Sequence, residues 1–199
     1  MLSIFKKRRG FLVFVLCFFV LPCLTGCTSK QANEKSIKQI VVAVADDVGA
    51  DKLDAASYDG LINAYPMIYD SLVEYGEKGK IIPSLAESWE ISDGKTYTFH
   101  LRKGVKFSDG TPFDAEAAKF SLERWCGKPE HASVSLSKAV QSIEVVDPYT
   151  IKLVCSVKSY PFLSELTYPR PVRIISPSAV EPKGDSQGKF IKPIGTGPW

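Results

Sequence analysis

The chain has 199 residues, 45% of them apolar and 24% charged, with 11 Phe, 8 Tyr and 3 Trp. That is the composition of a globular protein, and it excludes a disordered tail, a collagen-like repeat and a coiled coil. The formal charge of +3 is concentrated in the leader: Lys6, Lys7, Arg8 and Arg9 are cationic and no acid precedes Glu34, so the chain after residue 26 carries 21 cations against 22 acids. No basic stripe remains to favour a nucleic-acid partner.

Residues 1–26 divide into a cationic stretch ending at Arg9, an apolar run over 11–21, and Leu24-Thr25-Gly26 before Cys27. The run is shorter than the ~20 apolar residues of a spanning helix and has the length of a signal-peptide core. The last four residues match the lipobox of bacterial lipoproteins. The pattern predicts a lipoprotein signal peptide over 1–26, acylation of the Cys27 thiol, and display on the outer face of a bacterial cell membrane. One acyl chain holds a protein only marginally, whereas two or three anchor it. Residues 27–36 then read as the lipidated cysteine and a flexible polar tether.

The apolar run at 40–45 suits a strand covered on both faces. Leu61, Ile62, Tyr65, Ile68, Tyr69 and Leu72 recur at helical spacing and predict a helix over 57–72, with Pro66 kinking it or shifting its start. Asp93-Gly94 between β-forming runs at 88–91 and 97–102 predicts a hairpin. Tyr97, Phe99 and Leu101 share one face of its second strand; Thr98, His100 and Arg102 share the other. Asp114 is placed to cap a helix over 115–125, with Glu116 at the positive end of its dipole. A second hairpin is expected from 142–146 to 150–154, turning at Asp147-Pro148, and a short helix near 162–166. The tally is α+β, with two hairpins and two or three helices. Cys17 and Cys23 leave with the leader. Cys126 and Cys155 remain, as a disulfide or as two buried thiols.

Catalytic constellations are poor. His100 reads as a solvent-facing strand residue and His131 as a loop residue that could approach a cleft. Neither has ligands at zinc spacing. No nucleophile elbow, phosphate loop or dinucleotide fingerprint occurs, and no enzyme is expected. Tyr168-Pro169-Arg170-Pro171-Val172-Arg173 differs. The flanking prolines bias the backbone at Arg170 to an extended form. A guanidinium on a stiff backbone is pre-organised to meet a carboxylate with two hydrogen bonds. An ordinary surface arginine in a proline-rich loop is the alternative.

The run from Pro83-Ser84-Leu85-Ala86-Glu87-Ser88-Trp89 through Phe107-Ser108-Asp109-Gly110-Thr111-Pro112-Phe113-Asp114, with Gly195-Thr196-Gly197-Pro198-Trp199, resembles the extracytoplasmic solute-binding proteins of the dipeptide, oligopeptide and nickel importers. Tyr160-Pro161-Phe162-Leu163-Ser164-Glu165 and Pro169-Arg170-Pro171 resemble the nickel-binding branch most. The resemblance implies the N-terminal part of a two-lobe periplasmic-binding-protein-like fold (type II, with an accessory subdomain), incomplete in this chain. It implies a first segment of the main lobe over 37–75, the accessory subdomain over 76–185, and a return to the main lobe over 186–199. It implies a monomeric binding lipoprotein serving an importer's permease and ATPase. The ligand would be nickel, or a related metal, held as a small carboxylate chelate, or alternatively a di- or oligopeptide. By the same resemblance, Arg170, Tyr58 and His131 contact the ligand. No resident cofactor is implied, and any direct metal ligand would lie beyond Trp199. In the nickel-type pattern the loop after the Asp114 helix carries an aromatic residue and an Arg; here it reads Gly127-Lys128-Pro129-Glu130-His131-Ala132-Ser133.

Overall fold

A computed structural model describes residues 49–198, which lie within one compact unit, Ala45–Trp199. The signal peptide expected at 1–26, Cys27, the tether expected up to residue 36, the strand expected at 40–45 and Trp199 fall outside the described residues.

The centre is a four-stranded antiparallel sheet built from the two expected hairpins. Strands β3 (Ala86–Ser92) and β4 (Thr96–Leu101) form the first; β5 (Val140–Asp147) and β6 (Thr150–Cys155) form the second. Their order is β3-β4-β6-β5, so β4 and β6 are central. Alternation decides the buried face: Tyr97, Phe99 and Leu101 of β4 and Ile151 and Leu153 of β6 are all under 5% exposed, with Phe99 opposite Ile151. In the first turn the Asp93 carboxylate accepts from the amides of Lys95 and Thr96 at 3.0 and 3.2 Å.

Helix α2 (Ala115–Glu123) lies across β5 and β6 and buries Ala117, Ala118, Phe120 and Leu122. Asp114 caps it as expected, accepting from the Ala117 amide at 2.9 Å. Removing an N-cap costs about 1 kcal/mol. Asp114→Ala is therefore expected to lower the urea midpoint by that equivalent without altering the denaturant slope; an unchanged midpoint would show that the cap contributes nothing.

The expected helix over 57–72 contracts to one turn, α1 (Tyr65–Ile68), with Pro66 in its first turn. Pro66 lacks an N–H and blocks helix from running into it. The apolar periodicity reports burial instead, since Tyr65, Tyr69 and Leu72 are at most 1% exposed. Two strand pairs went unforeseen, β1 (Val73–Tyr75) with β2 (Ile81–Pro83) and β7 (Val180–Glu181) with β8 (Lys189–Phe190). So did α3 (Ser135–Ala139). Helix α4 (Phe162–Glu165) sits where the short helix was expected. Its Glu165 carboxylate accepts from the amides of Ser135 and Leu136 at 3.0 and 2.6 Å, capping α3 from 29 to 30 residues away.

Residues 194–197 fold back over α1. Gly197 N donates to Ile68 O at 2.9 Å, and Ser108 N donates to Gly195 O at 2.8 Å. Thr196 Oγ1 donates to the Asp70 carboxylate at 2.8 Å. A Cβ at Gly195 would stand 1.9 Å from Ile68 O, so only glycine permits this approach. Cys126 and Cys155 are free thiols. Burial raises both, Cys155 to about 11, which keeps them protonated at neutral pH.

Candidate functional site

The segment before α1 is shaped by its own polar side chains. Asp54 Oδ1 accepts from Ala56 N at 3.0 Å, and Asp54 O accepts from Ser57 N at 2.8 Å. Tyr69 Oη donates to Leu53 O at 2.6 Å, pinning the segment to the core. The resulting turn presents Tyr58, whose side chain is 39% exposed. Gly60 follows where a Cβ would lie 2.3 Å from Lys52 O and 2.4 Å from Tyr65 Oη.

Arg170 reaches this turn from the far side. Its Nη1 donates to Tyr58 O and, at 2.8 Å, to Gly60 O. Its guanidinium carbon stands 5.4 Å from the Tyr58 ring centre and 6.0 Å from that of Tyr65. Two carbonyls and two aromatic faces thus fix the guanidinium plane. Among the described residues no carbonyl or carboxylate accepts from its Nε or Nη2, so that edge of the fork can address an incoming acceptor.

His131 closes the cluster. It ends the turn Pro129–His131, and its ring centre is 5.3 Å from that of Tyr58. The structure therefore brings together Arg170, Tyr58 and His131, which lie up to 112 residues apart in sequence. His131 is only 3% exposed, and its Nδ1 has no partner among the described residues. Burial lowers its pKa below the usual 6.5, with Glu130 opposing and Lys128 assisting. The folded state then binds fewer protons than the unfolded chain as pH falls below about 6.5. Stability is expected to drop from pH 7.5 to 5.5 more steeply in the wild type than in His131→Gln. Equal urea-midpoint shifts in the two proteins would contradict that.

A polar cavity of about 480 Å³ opens beside Tyr58, lined by Asp54, Arg124, Lys128, Glu130 and His131 among others. Its size falls in the range of ligand pockets. Arg124 and Asp54, which sequence reasoning passed over, form a 2.5 Å ion pair in its wall. Their only sequence signal was a cation at the end of α2 and an acid in a polar loop. A second, more apolar groove of about 660 Å³ is lined by Ile81, Ile91, Tyr97, Tyr160 and Leu163 and contains none of the three clustered residues. No group of three His, Cys, Asp or Glu side chains among the described residues is placed to hold a metal ion.

Residues 80–199 match the family described as bacterial extracellular solute-binding proteins, family 5 Middle. The chain belongs to this family. It is 43% identical over 138 residues to the nickel-binding periplasmic protein of Escherichia coli K12, covering 68% of this chain and 26% of that one. It is 37% identical over 166 residues to the glutathione-binding protein GsiB of the same strain, covering 81% of this chain and 31% of that one. Among solved structures it resembles NikA from Brucella suis in complex with Fe(III)-EDTA, at 41% identity and a TM-score of 0.71 over 76% of this chain and 31% of that one. The chain thus spans between a quarter and a third of the length of these family 5 relatives. Among the described residues no helix is long and apolar enough to cross a membrane.

Proposed function

We propose that this family 5 chain serves an importer of the ABC class as its extracytoplasmic, lipid-anchored receptor, working with a permease and an ATPase. In this reading it captures nickel, or a related transition metal, as a small carboxylate chelate. The carrying observation is Arg170. Its guanidinium is held in place by Tyr58 O and Gly60 O with one edge left open. A planar fork fixed in advance binds a carboxylate with little further ordering. Tyr58 and His131 would supply the adjoining wall. Support comes from the nickel-binding relative at 43% identity and from the metal carboxylate chelate named with the Brucella structure.

The second reading, a peptide ligand, is favoured by the glutathione-binding relative, which matches a larger share of this chain. A peptide also carries a carboxylate for Arg170. Calorimetry with Ni²⁺ alone, Ni²⁺ plus L-histidine, and reduced glutathione separates the two, alongside mass spectrometry of ligand co-purified with the protein. Binding of Ni²⁺ plus L-histidine alone supports the chelate. Glutathione binding, or a co-purified peptide ladder, moves the assignment to peptides.

A further inference from the structure

Arg124 belongs to none of the motifs that carry the family resemblance, yet it bonds to two of the segments that wall the polar cavity, the turn at Asp54 and the loop at 186–188. Its side chain is 7% exposed. Nη2 meets Asp54 Oδ2 at 2.5 Å, while Nη1 donates to Ser186 O at 3.3 Å and to Gly188 O at 3.1 Å. The guanidinium also stands over the Phe120 ring, 5.9 Å from its centre. Asp54 spends its other carboxylate oxygen on Ala56 N, and its carbonyl accepts from Ser57 N. Those bonds make the turn that presents Tyr58. Tyr58 in turn gives its carbonyl to Arg170 and its ring to His131. A chain of directed contacts therefore runs from Arg124 through Asp54 and Tyr58 to the Arg170 guanidinium.

We infer that Arg124 is a positioning residue for ligand capture: it fixes the turn from Asp54 to Tyr58 and the loop at 186–188, and so sets where Tyr58 and Arg170 meet the ligand. This rests on the proposed site at Arg170, Tyr58 and His131. A planar guanidinium addresses a carboxylate with one nitrogen and two carbonyls with another, which a lysine ammonium on a flexible stem does less well. An ion pair that merely steadied the fold would have no preferred place. Arg124 instead bonds to the 54 turn and the 186–188 loop, and both wall the cavity.

The test compares Arg124→Gln and Arg124→Lys with Ser121→Ala, a control on the same helix. Ser121 Oγ bonds to Ala117 O, Ile175 O and Ile175 N and to nothing in the cavity wall. Affinity for Ni²⁺ plus L-histidine is read by calorimetry, and amide exchange is followed in the ligand-free protein. Partners that orient a binding group from outside are worth about 10- to 100-fold in affinity, so a loss of that size is expected for Arg124→Gln, with part recovered in Arg124→Lys. Exchange is expected to quicken at 54–60 and 186–188 in Arg124→Gln. Ser121→Ala is expected to lower the melting temperature while leaving affinity and local exchange unchanged. Unchanged exchange at 54–60 in Arg124→Gln overturns the inference, as does an equal affinity loss in Ser121→Ala. If the wild type binds no nickel chelate while exchange at 54–60 still rises only in the Arg124 variants, the chelate reading fails. The role of Arg124 in setting the Tyr58 turn then stands on the exchange data.

Discussion

Arg170→Ala is expected to weaken capture of Ni²⁺ plus L-histidine by about 2–5 kcal/mol, the cost of deleting one partner of a desolvated charge pair. That corresponds to roughly 30- to several-thousand-fold in the dissociation constant. Two effects add in the same direction. The ligand carboxylate loses its charge-assisted hydrogen bonds, and the carbonyls of Tyr58 and Gly60 lose the donor that ties their turn to the segment carrying Arg170. Arg170→Lys is expected to fall between, since it keeps the charge and loses the fork. The effect on stability is expected to be small, about 1 kcal/mol for two hydrogen bonds at a part-exposed position. Calorimetry and thermal melts together check both halves. Wild-type affinity in Arg170→Ala would remove this residue from the site.

Three residues along, the opposite outcome is expected. Arg173 is 5% exposed and pairs with Glu74. It also donates to Tyr168 O at 3.1 Å, Thr167 O at 3.4 Å and Tyr69 O at 3.5 Å. Breaking a buried pair by removing one partner costs about 3–5 kcal/mol. Glu74 keeps a third of its side chain in solvent, which places the expected cost of Arg173→Ala at the low end, about 3 kcal/mol. For a chain of this size that lowers the melting temperature by about 6–12 °C. A melt within 2 °C of wild type would show that Glu74 and the three carbonyls find water or other partners at little cost.

The contrast between these arginines marks where sequence reasoning reached its limit. Pro169 and Pro171 made Arg170 conspicuous because proline constrains the backbone on either side. Nothing local distinguished Arg173: its charge partner Glu74 and the Tyr69 carbonyl lie about 100 positions earlier, and its near partners are backbone carbonyls that any sequence supplies. The hairpins were legible because alternation and an Asp-Gly turn are short-range signals, and Asp114 because a cap acts within three residues. Helix α3 was not, since its amides are capped by Glu165 from another element. The helix expected over 57–72 failed for the converse reason. Tyr65, Tyr69 and Leu72 are buried at helical spacing, but Pro66 and the side-chain turns at Asp54 and Ser57 direct the backbone otherwise. At the site, Arg170, Tyr58 and His131 were named through family resemblance. The cavity wall beside Tyr58 and His131, Arg124 with Asp54, depends on contacts across 70 residues.

The fold-back of Gly195-Thr196-Gly197 onto α1 also bears on the order of events during synthesis. Thr196 and Asp70 are 126 residues apart. Hairpins such as β3–β4 and β5–β6 form in about 1–10 μs once their residues are available, whereas a contact of this span waits for its distant half and then carries the larger loop-closure entropy. At about 5–20 residues per second, the ribosome needs roughly 6–25 s to add the intervening chain. Throughout that interval the Ile68 carbonyl and the Asp70 carboxylate lack their native partners from residues 196 and 197. Within residues 49–198, the contact between Asp70 and Thr196 thus forms after the four-stranded sheet that precedes Thr196 in the chain.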